Sequence, residues 1–172
     1  MLEQKVKERT EEVVYQHQQI EKQKDELNKK NIKITDSIDY AKQIQDAFLP
    51  SYEQINQVFP ESFVVFMPKD IVSGDFYWLH TKTDQILFAA ADCTGHGVPG
   101  AFMSLICINL LNKIVDKKIT TAPAELLDLL RQQIITSFTS KKGQEKRQDG
   151  LDIALCSYDP KTKILSYAGA KN

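Results

Sequence analysis

Two acidic turns hold the residues best suited to chemistry in this chain: Ser73-Gly74-Asp75-Phe76 and Ala91-Asp92-Cys93-Thr94-Gly95-His96-Gly97, the second running directly into Val98-Pro99-Gly100-Ala101. Between them, Asp75 to His80 and Ile86 to Ala91 are apolar runs of strand length, joined by the polar turn Thr81-Lys82-Thr83-Asp84-Gln85. Antiparallel pairing about that turn sets Asp75 opposite Asp92, within about two residues of register. Two adjacent carboxylates repel and raise each other's pKa unless a cation lies between them. A hard divalent ion satisfies such a pair with carboxylate, backbone carbonyl and water oxygens. Gly95 and Gly97 let backbone approach the site closely, and a helix opening around Pro99 offers its N-terminus to a phosphate oxygen. Metal-dependent phosphate-ester hydrolysis is the chemistry this combination fits. The plainer reading stays open, because aspartate beside glycine or a turn is common for local hydrogen bonding alone.

Other site chemistries fit less well. There is no Gly-x-x-x-x-Gly-Lys-Ser/Thr phosphate loop. An ATP-binding Asp-x-Gly-x-Gly box would need glycine where Thr94 stands, and a cysteine-phosphatase loop would need arginine where Pro99 stands. Cys93 and His96 have zinc-like spacing but no second pair to complete four ligands. Cys93 therefore reads as a small turn residue, and His96 as a partly exposed one.

The bulk properties narrow the partners. The chain has 172 residues, enough for one domain with a core and an appendage, and a net charge of −1 that draws it neither to nucleic acid nor to anionic membrane. Three cysteines without a CxxC pair read as reduced thiols of a cytoplasmic protein, with Cys107 and Cys156 as small core residues. Met1 to Glu12 is too charged for a signal peptide. The most apolar window, Ala101 to Leu111, is interrupted by Ser104 and Asn109 and falls short of a ~20-residue span, so no membrane segment is expected.

Two parts must position the acidic turns. Residues 1–49 contain no glycine or proline, and Val6, Val13, Ile20, Leu27, Ile34, Ala41 and Phe48 recur every seven residues. This predicts one continuous helix with a coiled-coil seam. The companion column, Arg9, Gln16, Gln23, Lys30 and Ser37, is polar and only Ile44 restores it, which predicts a weak, tunable homodimer; a solvated helix lying on a further domain is the alternative. His17 reads as a surface histidine. Toward the helix end, Ile34, Ile38, Ala41, Ile44, Ala47 and Phe48 form an apolar stripe expected to dock on the globular domain before Pro50. From residue 59 the elements alternate. Phe63 to Met67 is expected as a buried strand, followed by the two strands above, a helix to about Val115 and a second helix from Thr121-Ala122-Pro123 with Leu126, Leu127, Leu130, Ile134 and Phe138 on one face. A lysine-rich loop, Ser140 to Gly150, precedes a last hairpin of Leu151–Tyr158 and Lys163–Ala168. Strands, two helices, then strands predict an α+β domain, an antiparallel sheet with helices on a face.

At these residues the sequence resembles the metal-dependent type 2C (PPM) serine/threonine phosphatases, in their bacterial SpoIIE/RsbU-like branch. Ser73 to Trp78 and Ala91 to Ser104 carry the resemblance. Ser37 to Gln45 is similar to the helix that precedes this domain in bacterial sensor phosphatases, and Asp149 to Cys156 and Tyr167 to Asn172 resemble its later strands. The likeness covers about residue 34 to the end. It implies a β-sandwich flanked by helices and two Mn²⁺ or Mg²⁺ ions. Asp75, Asp92 and the Cys93 carbonyl would be metal ligands, and Asp149 or Asp152 would serve an accessory ion. Gly95 and Gly97 would form the backbone loop, and His96 would donate a proton to the leaving serine oxygen. The implied activity is hydrolysis of phosphoserine or phosphothreonine on a regulatory protein of the anti-sigma-factor-antagonist type. The implied setting is cytoplasmic, with a tether to a membrane sensor in a longer protein. The family's later metal aspartates have no match before Asn172, so the domain, residues 59–172, is expected to be incomplete and its activity low. A non-catalytic signalling module that dimerises through its coil is the alternative function.

Overall fold

The computed structural model describes residues 1–82, 84–117, 121–139 and 150–171. They form two compact units, Met1–Tyr40 and Ala41–Asn172. The first unit is helical throughout, part of helix α1 (Leu2–Asp46). Its seven-residue column is solvent-exposed in the single chain, from Val6 and Val13 to Ile20, Leu27 and Ile34.

The second unit is built on one antiparallel sheet. After the short helix α2 (Tyr52–Val58), strands β1 (Phe76–Thr81) and β2 (Ile86–Cys93) form a hairpin. Helices α3 (Gly97–Asp116) and α4 (Pro123–Thr139) follow, then the hairpin β3 (Leu151–Asp159) and β4 (Ile164–Ala170). The strand order is β1-β2-β3-β4, each pair antiparallel. Thus the predicted α+β order of strands, helices and strands is present. Thr83 and residues 140–149 of the two predicted connections lie outside the described residues.

A pleated strand must bury one of its two faces. Here that face carries Phe76, Trp78, Leu87, Ala89, Ala91, Leu151, Ile153 and Leu155, packed against Cys107, Ile108 and Leu111 of α3 and Leu126, Leu130 and Ile134 of α4. The Trp78 indole N–H is satisfied by Asn112 Oδ1 at 2.7 Å, as a buried indole requires. Helix α3 is long and apolar enough by composition to cross a membrane, which the shorter window Ala101–Leu111 did not reveal. Its most apolar 18-residue stretch is 56% buried inside the fold, where a helix covered by both sheet and α4 needs apolar residues almost all round.

Two expectations need correcting. Phe63 to Met67 is not a strand. It has no assigned secondary structure, and Phe63 and Met67 are 85% and 84% exposed. An extended apolar run becomes a strand only with a neighbour to complete its ladder, and this run has none among the described residues. It touches the sheet's other face instead, through Phe66 edge-on to Tyr77 at 5.6 Å. Second, within the part of the apolar stripe that belongs to the second unit, Ile44 and Phe48 are exposed, Ala41 is half-buried, and the buried residue of α1 is the polar Gln45.

Candidate metal centre

The β1–β2 register runs from Thr81↔Ile86 to Phe76↔Ala91, so the next position along brings Asp75 opposite Asp92. The hairpin prediction holds without a slip. Partial burial at the edge of the sheet pushes the Asp75 carboxyl above its ordinary range, and hydrogen-bonding and repulsion from the Asp92 carboxylate push it further. Both side chains remain solvent-accessible, so a ligand or ion can reach them.

Ser73 sets the position of Asp75. Its hydroxyl accepts the Asp75 backbone N–H at 3.0 Å. Its own backbone is held from both sides by the Gln45 amide: Ser73 N–H donates to Gln45 Oε1 at 3.0 Å, and Gln45 Nε2 donates to the Ser73 carbonyl at 2.7 Å. Gln45 Nε2 also reaches Ser104 Oγ on α3 at 2.8 Å, and that hydroxyl lies 2.8 Å from the Ala101 carbonyl. Gln45, Ser73 and Ser104 are all buried. A buried amide with both ends satisfied is geometrically demanding, and this one fixes the backbone two residues before a candidate ligand. Sequence reasoning gave none of the three a positioning role. The available signal was a glutamine inside an apolar stripe, at 45 between Ala41 and Phe48.

The second turn is locked to the first by close backbone packing. A Cβ on Gly74 would meet the Gly95 carbonyl oxygen at 2.8 Å and the Cys93 carbonyl oxygen at 2.9 Å; one on Gly100 would meet the Gly95 oxygen at 2.5 Å. Only glycine fits at both. Gly95 and Gly97 have φ of +92° and +62°, the left-handed conformation that turns β2 sharply into α3. Cys93 N–H reaches the Gly74 carbonyl at 3.4 Å.

Cys93 is the last residue of β2, not a turn residue, and its side chain is buried against Cys107. The Cys107 contact, foremost, and burial push its thiol far up, so it is inert as a nucleophile. The Cys93 carbonyl oxygen lies where the two turns meet, 2.9 Å from where a Cβ on Gly74 would stand. Asp152 stands opposite Asp92 in the β2–β3 ladder, which aligns Asp75, Asp92 and Asp152 along the ends of three strands. Asp149 lies outside the described residues. An open groove of ≈ 880 Å³ is lined by these three aspartates together with Tyr77, Tyr167 and Lys171. Among the described residues no three His, Cys, Asp or Glu side chains converge closely enough to hold a metal ion together. The donor set that does converge is the Asp75–Asp92 pair, whose mutual repulsion a divalent cation would relieve. In that respect the residues fit the implied metal.

The family model of stage II sporulation protein E (SpoIIE) matches residues 82–172. Among solved structures, the SiaA-PP2C domain of Pseudomonas aeruginosa is similar at 32% identity and a TM-score of 0.72, over 82% of this chain and 55% of that one. The chain thus spans about half the length of the solved domain. No curated protein matches.

Proposed function

We propose that this chain, which belongs to the SpoIIE family of type 2C phosphatases, carries a metal-dependent site that hydrolyses phosphoserine or phosphothreonine on a regulatory protein. The observation that carries the reading is the pairing of the Asp75 and Asp92 carboxylates at one sheet edge, with the Asp75 carboxyl raised by partial burial and by its partner. These two side chains and the Cys93 carbonyl would hold Mn²⁺ or Mg²⁺, with Asp152 as the neighbour suited to an accessory ion. When bound, the cation supplies Lewis-acid activation of the attacking water and neutralises charge developing at phosphorus. The chain's own residues do the rest. Ser73 and Gln45 hold Asp75 in place, the Gly74–Gly95–Gly100 packing keeps the two turns in contact, and His96 supplies a proton to the leaving oxygen. No side-chain nucleophile is required, in keeping with the buried Cys93 thiol. The exposed heptad column of α1 is proposed to pair with a second copy in a cytoplasmic signalling protein.

A non-catalytic module is the second reading. The absence of three converging ligands among the described residues favours it. Calorimetric titration with Mn²⁺ and hydrolysis of a phosphoserine peptide separate the two. The enzyme reading expects Mn²⁺ binding and Mn²⁺-dependent turnover, both lost in Asp92→Asn, with a fall in rate of roughly a hundredfold or more. Undiminished turnover in Asp92→Asn overturns the site. No binding and no turnover in the unsubstituted chain favour the module.

A further inference from the structure

The two turns that carry Asp75 and Asp92 are joined by a second side-chain link. His96 Nδ1 lies 3.1 Å from Asp70 Oδ2. The same carboxylate oxygen would stand 3.6 Å from a Cβ on Gly97, so Asp70 sits directly over the turn that His96 belongs to. Asp70 lies five residues before Asp75, and His96 four after Asp92. The Asp70–His96 link therefore bridges the same two segments as the carboxylate pair and the Cys93 N–H to Gly74 carbonyl contact.

We propose that Asp70 is a positioning residue that fixes the tautomer and orientation of His96. An ionised carboxylate can only accept, so the ring donates from Nδ1 and its Nε2 is left outside the pair. The pair contributes little to stability, because the side chains are 78% (His96) and 43% (Asp70) exposed and solvent screens such pairs. What it fixes is ring geometry. His96 occupies the N-cap position of α3, yet its side chain makes no capping hydrogen bond, so helix capping does not account for the orientation.

The catalytic consequence rests on the phosphatase reading above. A serine alkoxide is a poor leaving group and needs a proton as it departs. As the P–O ester bond breaks, its electron pair stays on the seryl oxygen, which takes the Nε2 proton of the His96 imidazolium. The oxygen of water forms the new P–O bond and releases one of its two protons to solvent. The ring is left neutral with its Nδ1–H on Asp70, the tautomer the pair already favours, and recovers a proton from solvent.

Nitrogen-15 NMR of the histidine rings in the neutral state tests the positioning directly and needs neither metal nor turnover. His96→Gln identifies the resonance among the three histidines. Wild type is expected to hold His96 as the Nδ1–H tautomer. Asp70→Ala should shift it to the Nε2–H form that free side chains prefer, and Asp70→Asn, whose amide oxygen still accepts, should restore much of the Nδ1–H form. A wild-type ring that is mainly Nε2–H, or a tautomer ratio unchanged in Asp70→Ala, overturns the proposal. With Mn²⁺, Asp70→Ala should lower kcat on a phosphoserine peptide about tenfold with KM unchanged, part of the 10²–10⁴ that general-acid catalysis supplies. Hydrolysis of p-nitrophenyl phosphate, whose leaving group departs without a proton, should be nearly unaffected. Equal losses on both esters assign Asp70 a merely structural role and overturn the leaving-group part. If neither ester is hydrolysed while the Nδ1–H tautomer depends on Asp70, the phosphatase reading fails and the positioning stands.

Discussion

At the scale of single residues, the acidic pair is a local liability that a ligand would convert into an asset. Like charges directly opposite on a sheet are destabilising, and the Asp75 carboxyl, raised first by partial burial, is raised further by its hydrogen bond with and repulsion from Asp92. Asp92→Asn should therefore leave the metal-free protein melting at the same temperature or up to about 4 °C higher, the shift expected for about 1 kcal/mol in a chain of this size. The same substitution should abolish the rise in Tm that Mn²⁺ gives the wild type; differential scanning fluorimetry with and without the ion reads both effects. His80 makes a separate pH prediction. Burial lowers its pKa below the ordinary 6.5, against a partial opposing pull from Asp116. The ring stacks on Trp78 at 5.8 Å. Between the lowered folded pKa and 6.5, the unfolded chain holds more protons than the folded one, so stability rises with pH across that window and falls as the solution is acidified through it. His80→Phe keeps the stacking and should flatten this part of a Tm-against-pH curve.

At the scale of elements, contacts between segments hold the site as much as the strands do. The Gln45 amide brackets the Ser73 backbone and reaches Ser104 on α3, so the end of α1, the turn before β1 and α3 share one buried junction. Gln45→Ala leaves the Ser73 N–H and carbonyl without this partner and should cost about 2–3 kcal/mol in urea denaturation. Ser104→Ala, which leaves both Gln45–Ser73 bonds in place, should cost about 1 kcal/mol. Close packing of the two turns sets a second requirement. At Gly100 a methyl group would stand 2.5 Å from the Gly95 carbonyl oxygen, and backbone cannot give way as a side-chain tip can. Gly100→Ala is expected to destabilise by about 1–3 kcal/mol and to reduce Mn²⁺ affinity, measured on the same samples by denaturation and titration calorimetry.

At the scale of the whole molecule, the sheet is covered on one face and largely uncovered on the other. Tyr167 and Leu165 are exposed there, and an apolar groove of ≈ 890 Å³ is lined by Phe59, Phe63, Tyr77, Phe88 and Tyr158. Phe59 meets Phe88 edge-on at 5.2 Å in this groove. The heptad column of α1 is also exposed. Its polar companion column predicts a weak pairing, so sedimentation velocity should show a dimer fraction that grows with concentration. Ile20→Lys, in the middle of the column, should remove that fraction and leave the melting of the 41–172 unit unchanged. A single concentration-independent species in the unsubstituted chain would overturn the pairing.

Local patterning was enough to read the elements that carry their own instructions. Strand length and a tight turn set Asp75 opposite Asp92 to within about two residues of register; both hairpins and both core helices follow from apolar periodicity in the same way. Tertiary structure alone settled whatever depends on a partner remote in the chain. Phe63–Met67 has strand composition, but no neighbour among the described residues completes its ladder. Cys93 looks like a turn residue until Cys107 is seen against it. Gln45 looks like a polar interruption in an apolar stripe until Ser73 and Ser104 surround its amide, and Asp70 has no visible role until the fold brings it to His96. A hydrogen bond spanning 28 or 59 residues leaves no periodic trace in the chain, because periodicity records which face is buried and not what lies opposite.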